Sequence, residues 1–296
     1  MKKLFMILAL SATSFLNANI NAVVSILPQQ TFLEKIGGDK VNIALMVTPG
    51  NSPHTYEPKP SQMRDISRAD VYFSIGVEFE DTWLKRFTDQ NKNMIVKNMS
   101  KNIVKIEMKE HSHHDEHDNH NEHKEDKHDD HDEDNLDPHV WISPANVKII
   151  AHNIYVELSK IDSENKEYYK KNLTSFLKEI EATDKKIKEV LKNTPKHSKF
   201  MVFHPSWGYF ARDYDLEQLA IESGGKNPKP KQIAYLIEEA KEEKVTAIFT
   251  APEFSTKTSK QIANEVGVQV IKVSALSPNW SENLIGLALA ISNKNN

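Results

Sequence analysis

Between Ser163 and Asn193 apolar side chains recur at Tyr169, Leu173, Phe176, Ile180, Ile187 and Leu191, with Tyr168, Leu177 and Val190 widening the stripe. The positions between them are mostly Lys, Glu and Asp, and neither Gly nor Pro interrupts the run. Steps of three and four residues put these side chains on one face of an α-helix. At roughly 1.5 Å per residue the helix would be about 45 Å long, more than one compact lobe needs, so the pattern predicts a rod between two lobes. The heptad pattern lapses at Asp184 and covers too few repeats for a coiled coil.

On either side, short β-rich runs alternate with amphipathic helical ones. Before the rod, strands are expected at 21–27, 41–47 and 70–75, with helices at 28–36, 61–68, 80–87 and 147–161 and short extended pieces at 94–96 and 103–106. After it, strands at 199–203, 216–221, 245–249 and 268–273 alternate with helices at 207–212, 231–244 and 258–266. Gly224-Gly225 marks a turn, and a terminal helix covers 280–291. This alternation predicts an α/β protein: two Rossmann-like lobes, each a mostly parallel sheet with flanking helices, joined by one long rigid helix. The expected divisions are an N-terminal lobe at 19–162, the linking helix at 163–193 and a C-terminal lobe at 194–296. A length of 296 residues with 39% hydrophobic content is ample for two cores.

Two stretches break this grammar. Residues 1–18 carry Lys2 and Lys3, then an apolar run too short to span a bilayer, and end on Ala18, which predicts a secretory signal peptide. From Glu110 to Asp134 the chain is almost wholly His, Asp, Glu, Asn and Lys, and it holds eight of the thirteen His: His111, His113, His114, His117, His120, His123, His128 and His131. Without apolar residues it cannot offset its ordering entropy, so a mobile loop is expected. Its repeated imidazoles make it a weak secondary metal site.

Zero Cys excludes disulfides, thiolate metal sites and Cys nucleophiles, and leaves no thiol for lipid attachment. An exported chain of this kind is expected to diffuse freely in a Gram-negative periplasm. The formal charge of −4, with no basic patch interleaved with aromatics, argues against nucleic acid as a partner.

Of the remaining His residues, His54 lies in a Pro-rich loop after the second strand, and His204 ends the first strand beyond the rod. Ligands of open α/β sheets bind at the carboxyl ends of strands. His139 sits in Asp137-Pro138-His139-Val140-Trp141, a rigid turn before Ser143-Pro144, which reads as a helix cap. His152, inside a helix, and His197, in a Lys/Pro/Ser stretch, read as packing or surface residues. Three His from both sides of the rod place the candidate site between the lobes.

The motifs Pro49-Gly-Asn-Ser-Pro-His54-Thr-Tyr-Glu-Pro, Asp137-Pro-His139-Val-Trp-Ile-Ser-Pro, Val202-Phe-His204-Pro-Ser-Trp-Gly-Tyr-Phe210 and Pro252-Glu-Phe-Ser-Thr-Lys-Thr258 resemble, in this order, those of the ZnuA-type zinc-binding proteins of bacterial ABC importers. The resemblance covers nearly the whole chain after residue 18. It implies a rigid-helix, two-lobed receptor, a monomer, that binds Zn²⁺ in its cleft through His54, His139 and His204 and delivers it to a membrane permease. Pro53 stands where some members carry Glu, and Ser274 where many carry Asp, which leaves the fourth ligand to water or a nearby carboxylate such as Glu80. Three imidazoles favour Zn²⁺, whereas Mn²⁺ favours carboxylate-rich sites. A manganese or iron receptor of the same importer class is the alternative. A zinc hydrolase or hydratase would share the three His but needs a general acid or base, for which the chain offers Glu80 or Glu253 and no His-Glu-x-x-His motif.

Overall fold

The computed structural model describes residues 19–108, 136–222 and 226–292. The expected signal peptide, the His-rich segment at 110–134 and the Gly224-Gly225 turn lie outside the described residues. The N-terminal sheet holds β1 (Ile20–Val24), β2 (Val41–Leu45), β3 (Val71–Ser74) and β4 (Ile95–Asn98) in the order β2-β1-β3-β4. The second sheet holds β5 (Ser198–Val202), β6 (Leu216–Ala220), β7 (Ala247–Thr250) and β8 (Gln269–Lys272) in the order β6-β5-β7-β8. All pairings are parallel, and the two orders are one pattern used twice. Each sheet therefore has a switch point, between β1 and β3 and between β5 and β7, where connections leave in opposite directions.

The helices are α1 (Leu27–Gly37), α2 (Pro60–Arg68), α3 (Glu78–Gln90), α4 (Pro144–Ile161), α5 (Lys166–Leu191), α6 (Gly208–Asp213), α7 (Pro230–Glu242), α8 (Lys257–Val266) and α9 (Trp280–Ser292). Four of them, α1, α2, α4 and α7, carry Pro in the first turn, where a fixed φ suits the helix and the missing N–H has no partner to lose. The expected piece at 103–106 is not a strand. There the chain makes only an isolated antiparallel bridge between Glu107 and Leu136, beside the bond from Asp137 N to Ile106 O of 2.8 Å.

The rod is α5, 26 residues and about 39 Å long, somewhat shorter than the pattern predicts. Its start is displaced because Asp162 organises Ser163–Asn165 as a 3-10 turn, accepting from Asn165 N at 3.3 Å and from the Tyr169 hydroxyl at 2.7 Å. Every apolar position that sets the helical period is buried, and Thr183 joins the same face where the apolar period lapses, donating to Glu179 O at 2.9 Å. α5 packs on α1, α4 and α9, and α1 meets α9 beside it, the Phe32 ring standing 5.7 Å from those of both Phe176 and Trp280. Gly38, at φ +54°, passes so close to α5 that an added Cβ would stand 2.1 Å from the Tyr168 hydroxyl oxygen, so this crossing requires Gly.

The expectation of separate cores is corrected. One apolar cluster runs from the N-terminal sheet through α4 and α5 to Phe200, Val202 and Phe249 on one face of the second sheet and to Trp280 and Leu284 of α9. A smaller cluster, with Met201, Phe203, Leu219 and Ile248, lines the other face of that sheet. Period-two alternation along β5 thus feeds two different cores.

Candidate metal centre

His54 follows β2 in a loop tightened by bonds from Asn51 N to Thr48 O and from Thr55 N to Ser52 O, each 3.2 Å. Downstream, buried Tyr56 donates to Gln62 Oε1 at 2.9 Å and ties the loop to α2. His139 precedes a buried 3-10 turn, Val140–Ile142, and the Ser143 side chain caps α4 by accepting from Asn146 N at 3.1 Å. His204 lies just past β5, at the switch-point edge of the second sheet.

These three elements bring the imidazoles together. His204 Nε2 stands 3.4 Å from His54 Nε2 and 3.3 Å from His139 Nε2. Each ring turns its other nitrogen to a carboxylate. His139 Nδ1 lies 2.8 Å from Asp137 Oδ1, which also accepts from the His139 backbone N–H. His204 Nδ1 is bonded to Glu222 Oε1, and His54 Nδ1 faces Glu78 Oε1 at 3.4 Å. A carboxylate at Nδ1 holds the proton there and leaves the Nε2 lone pair free. Lone pairs converging at this spacing repel one another until a cation lies between them.

Electrostatics follow the same division. The bond to Glu78 raises the His54 pKa above its ordinary value, against the lowering effect of burial. Burial pushes the Glu78 carboxyl up, but the His54 bond and charge outweigh it and hold the group at about 2. Burial lowers the pKa of His204 despite Glu222, which favours the neutral, ligating form.

The cavity around the three rings is small, about 30 Å³, and Glu78, Ser206, Glu253, Phe254 and Ser274 also line it. Phe254 stacks on the His204 ring at 4.9 Å.

Glu80, expected as an auxiliary carboxylate, stands elsewhere. It is buried and accepts from Ile75 N at 3.0 and 3.1 Å, from Gly76 N at 2.8 Å and from the Ser25 hydroxyl, so it closes the turn after β3. His152 is exposed on α4, and His197 is exposed beside Glu217 and Asp215. Glu78, Glu222 and the pairing of Asp137 with its own neighbour escape a sequence reading, although Glu222 at the end of β6 shares the strand-end signal that flags His204.

Two parallel-sheet lobes bridged by one helix, with imidazoles meeting between them, define a two-lobed binding protein with a candidate cation site in the cleft. Residues 22–287 match the family described as "Zinc-uptake complex component A periplasmic", and the chain belongs to that family. It is 32% identical over 262 residues to the high-affinity zinc uptake system protein ZnuA of Bacillus subtilis, covering 87% of this chain and 78% of that one. The zinc-binding lipoprotein AdcA of Streptococcus pneumoniae is 29% identical across 94% of this chain, which spans 55% of AdcA. A crystal structure of ZnuA superposes with a TM-score of 0.82 at 40% identity, covering 93% of this chain and 98% of the other. A zinc-bound ZnuA carrying a 138–173 deletion gives 0.81 at the same identity, over 94% and 98% of the two chains.

Proposed function

We propose that this chain is the periplasmic receptor of a bacterial ABC importer, capturing Zn²⁺ on the Nε2 atoms of His54, His139 and His204 and handing it to an inner-membrane permease. The Nε2 spacing carries the reading. Two nitrogens bound tetrahedrally to one ion at about 2.0–2.1 Å lie about 3.3–3.4 Å apart, and the two contacts at His204 measure 3.3 and 3.4 Å. Carboxylates behind all three rings are the usual partners of metal-bound His and raise ligand basicity. The names of the B. subtilis and S. pneumoniae relatives agree with zinc as cargo.

Manganese or iron as cargo is disfavoured by a cluster of three imidazoles, since harder ions take oxygen-rich, higher-coordinate sites. An enzyme is disfavoured by the cavity: about 30 Å³ holds an ion but no organic substrate, whereas small-molecule sites run to about 300–1,000 Å³. The same reading makes the exported chain monomeric and, having no Cys, unlipidated. Metal analysis and competitive titration of the chain lacking residues 1–18 with Zn²⁺, Mn²⁺ and Cu²⁺ test it. Zinc bound tightly at one equivalent in the cleft is expected, and manganese outcompeting zinc would overturn it.

A further inference from the structure

We propose that Glu253 is the fourth ligand of the cargo cation, its Oε2 closing the three-imidazole set from the C-terminal lobe. The inference rests on the zinc reading above and deepens it. Glu253 follows β7 and lines the cavity with the three His. Its Oε1 accepts from Ser274 Oγ at 2.9 Å, while its Oε2 is buried with no hydrogen-bond donor among the described residues. A buried carboxylate oxygen left without a partner is costly, and a cation in the adjoining cavity removes that cost.

The other carboxylates at the cluster are already used. Glu222 and Asp137 hold His204 and His139 through Nδ1. Asp137 also has an oxygen without a donor, but Asp137 does not line the cavity. Glu78 faces His54, and its side chain is 44% exposed, so solvent serves its second oxygen.

Glu253 is also held in place. Ser274 Oγ accepts from Leu276 N at 3.0 Å, which leaves its single proton for Glu253. The Ser274 carbonyl accepts from Asn283 Nδ2 at 2.9 Å, which fixes this corner to α9. Phe254, the next residue, stacks on His204, so the same turn already reaches the ligand cluster. Three imidazoles offer a dication only neutral nitrogen donors in a partly buried cavity. One carboxylate adds a charged oxygen donor and completes a tetrahedral set of three nitrogens and one oxygen.

Co²⁺ in place of zinc, with azide as a probe of any open coordination position, tests this. With Glu253 as ligand, azide leaves the visible spectrum of the Co²⁺-loaded wild type unchanged. It shifts that of Glu253→Ala, whose zinc affinity falls by at least the about 10–100-fold that losing even an outer-shell partner costs. Circular dichroism checks the fold, and isosteric Glu253→Gln repeats the affinity loss if Ala disturbs it. Azide shifting wild type and Glu253→Ala alike, or unchanged zinc affinity in both Glu253 variants while His204→Ala loses binding, overturns the ligand role alone. Zinc retained by His204→Ala would sink the zinc reading itself.

Discussion

Trp280 Nε1 donates to the Trp141 carbonyl at 2.7 Å, and Trp141 Nε1 donates in turn to the Ala275 carbonyl at 2.7 Å, both indoles being buried. Trp141 lies two residues past His139, while Ala275 and Trp280 flank the corner after β8. This pair of bonds ties the His139 turn to the C-terminal lobe. The apolar cluster that runs unbroken between lobes through α5 acts in the same direction.

Little closure is therefore expected on metal binding. A regular 26-residue helix without Gly or Pro has no hinge, and opening by tens of degrees would bend its whole hydrogen-bonded backbone or break the tryptophan bonds. Solution scattering of a variant lacking 112–132 checks this. Its radius of gyration should barely change with zinc, and a large drop would refute the rigid arrangement.

Substituting Ala for His54, His139 or His204 should each weaken zinc binding sharply, because each removes one of the three converging nitrogens. Far-ultraviolet circular dichroism should stay unchanged, since the rings lie at a cavity and not within the apolar cluster. Titration against a chelator of known affinity measures the loss. An unchanged affinity removes that His from the site.

The rod and the βα alternation are legible in the sequence because they rest on local periodicity, and the observed elements differ mainly at their ends. Ser143-Pro144 was readable for the same reason: a cap is a local event. The apolar cluster shared by both lobes was not, because nothing local tells whether the inward faces of β1 and β5 meet different partners or share α5. The three His are visible as polar residues at strand ends or in a rigid turn. Their carboxylate partners are not, since Glu78 and Glu222 come from elements 24 and 18 positions away, brought near only by the sheet topology. Glu80 misled for the converse reason: two positions from Glu78 on the same helix, it points its carboxylate into the turn after β3.

That difference is testable. Glu80→Gln should leave zinc affinity unchanged while lowering the melting temperature, because an amide cannot accept from Ser25, Ile75 and Gly76 as two carboxylate oxygens do. A net loss of about 1–3 kcal/mol is expected for a buried group so disrupted. Thermal unfolding and zinc titration of the same sample separate the two effects, and weakened zinc binding would return Glu80 to the ligand set.

Zinc affinity should fall with pH in a way set by His54. Its protonated ring cannot ligate, so binding is complete above the His54 pKa and is lost as pH drops through it. Because Glu78 raises that pKa, the decline begins at higher pH than for an ordinary imidazole. Glu78→Gln removes the raising partner and should move the midpoint down, even if the limiting affinity weakens. Competition titrations from about pH 5 to 8, the range of His titration, follow the midpoint. A midpoint that stays put or rises in the variant would sink the account.

Deleting residues 112–132 should leave one tight zinc site and remove weaker ones. The deleted stretch carries His113, His114, His117, His120, His123, His128 and His131 but none of the three imidazoles at the cavity. The chain ends that enter and leave this stretch are already joined by the Glu107 to Leu136 bridge and the Asp137 N to Ile106 O bond of 2.8 Å, so a short remaining connection can close without moving His139. A stretch of this composition, without apolar residues, is expected from its sequence to order only on binding, and that entropic cost makes its sites the weaker ones. Calorimetric titration of both forms should show the same tight first equivalent, with the later, weaker heat present only in the full chain. Loss of the first equivalent in the deletion would mean that the excised His residues supply a ligand to the cleft.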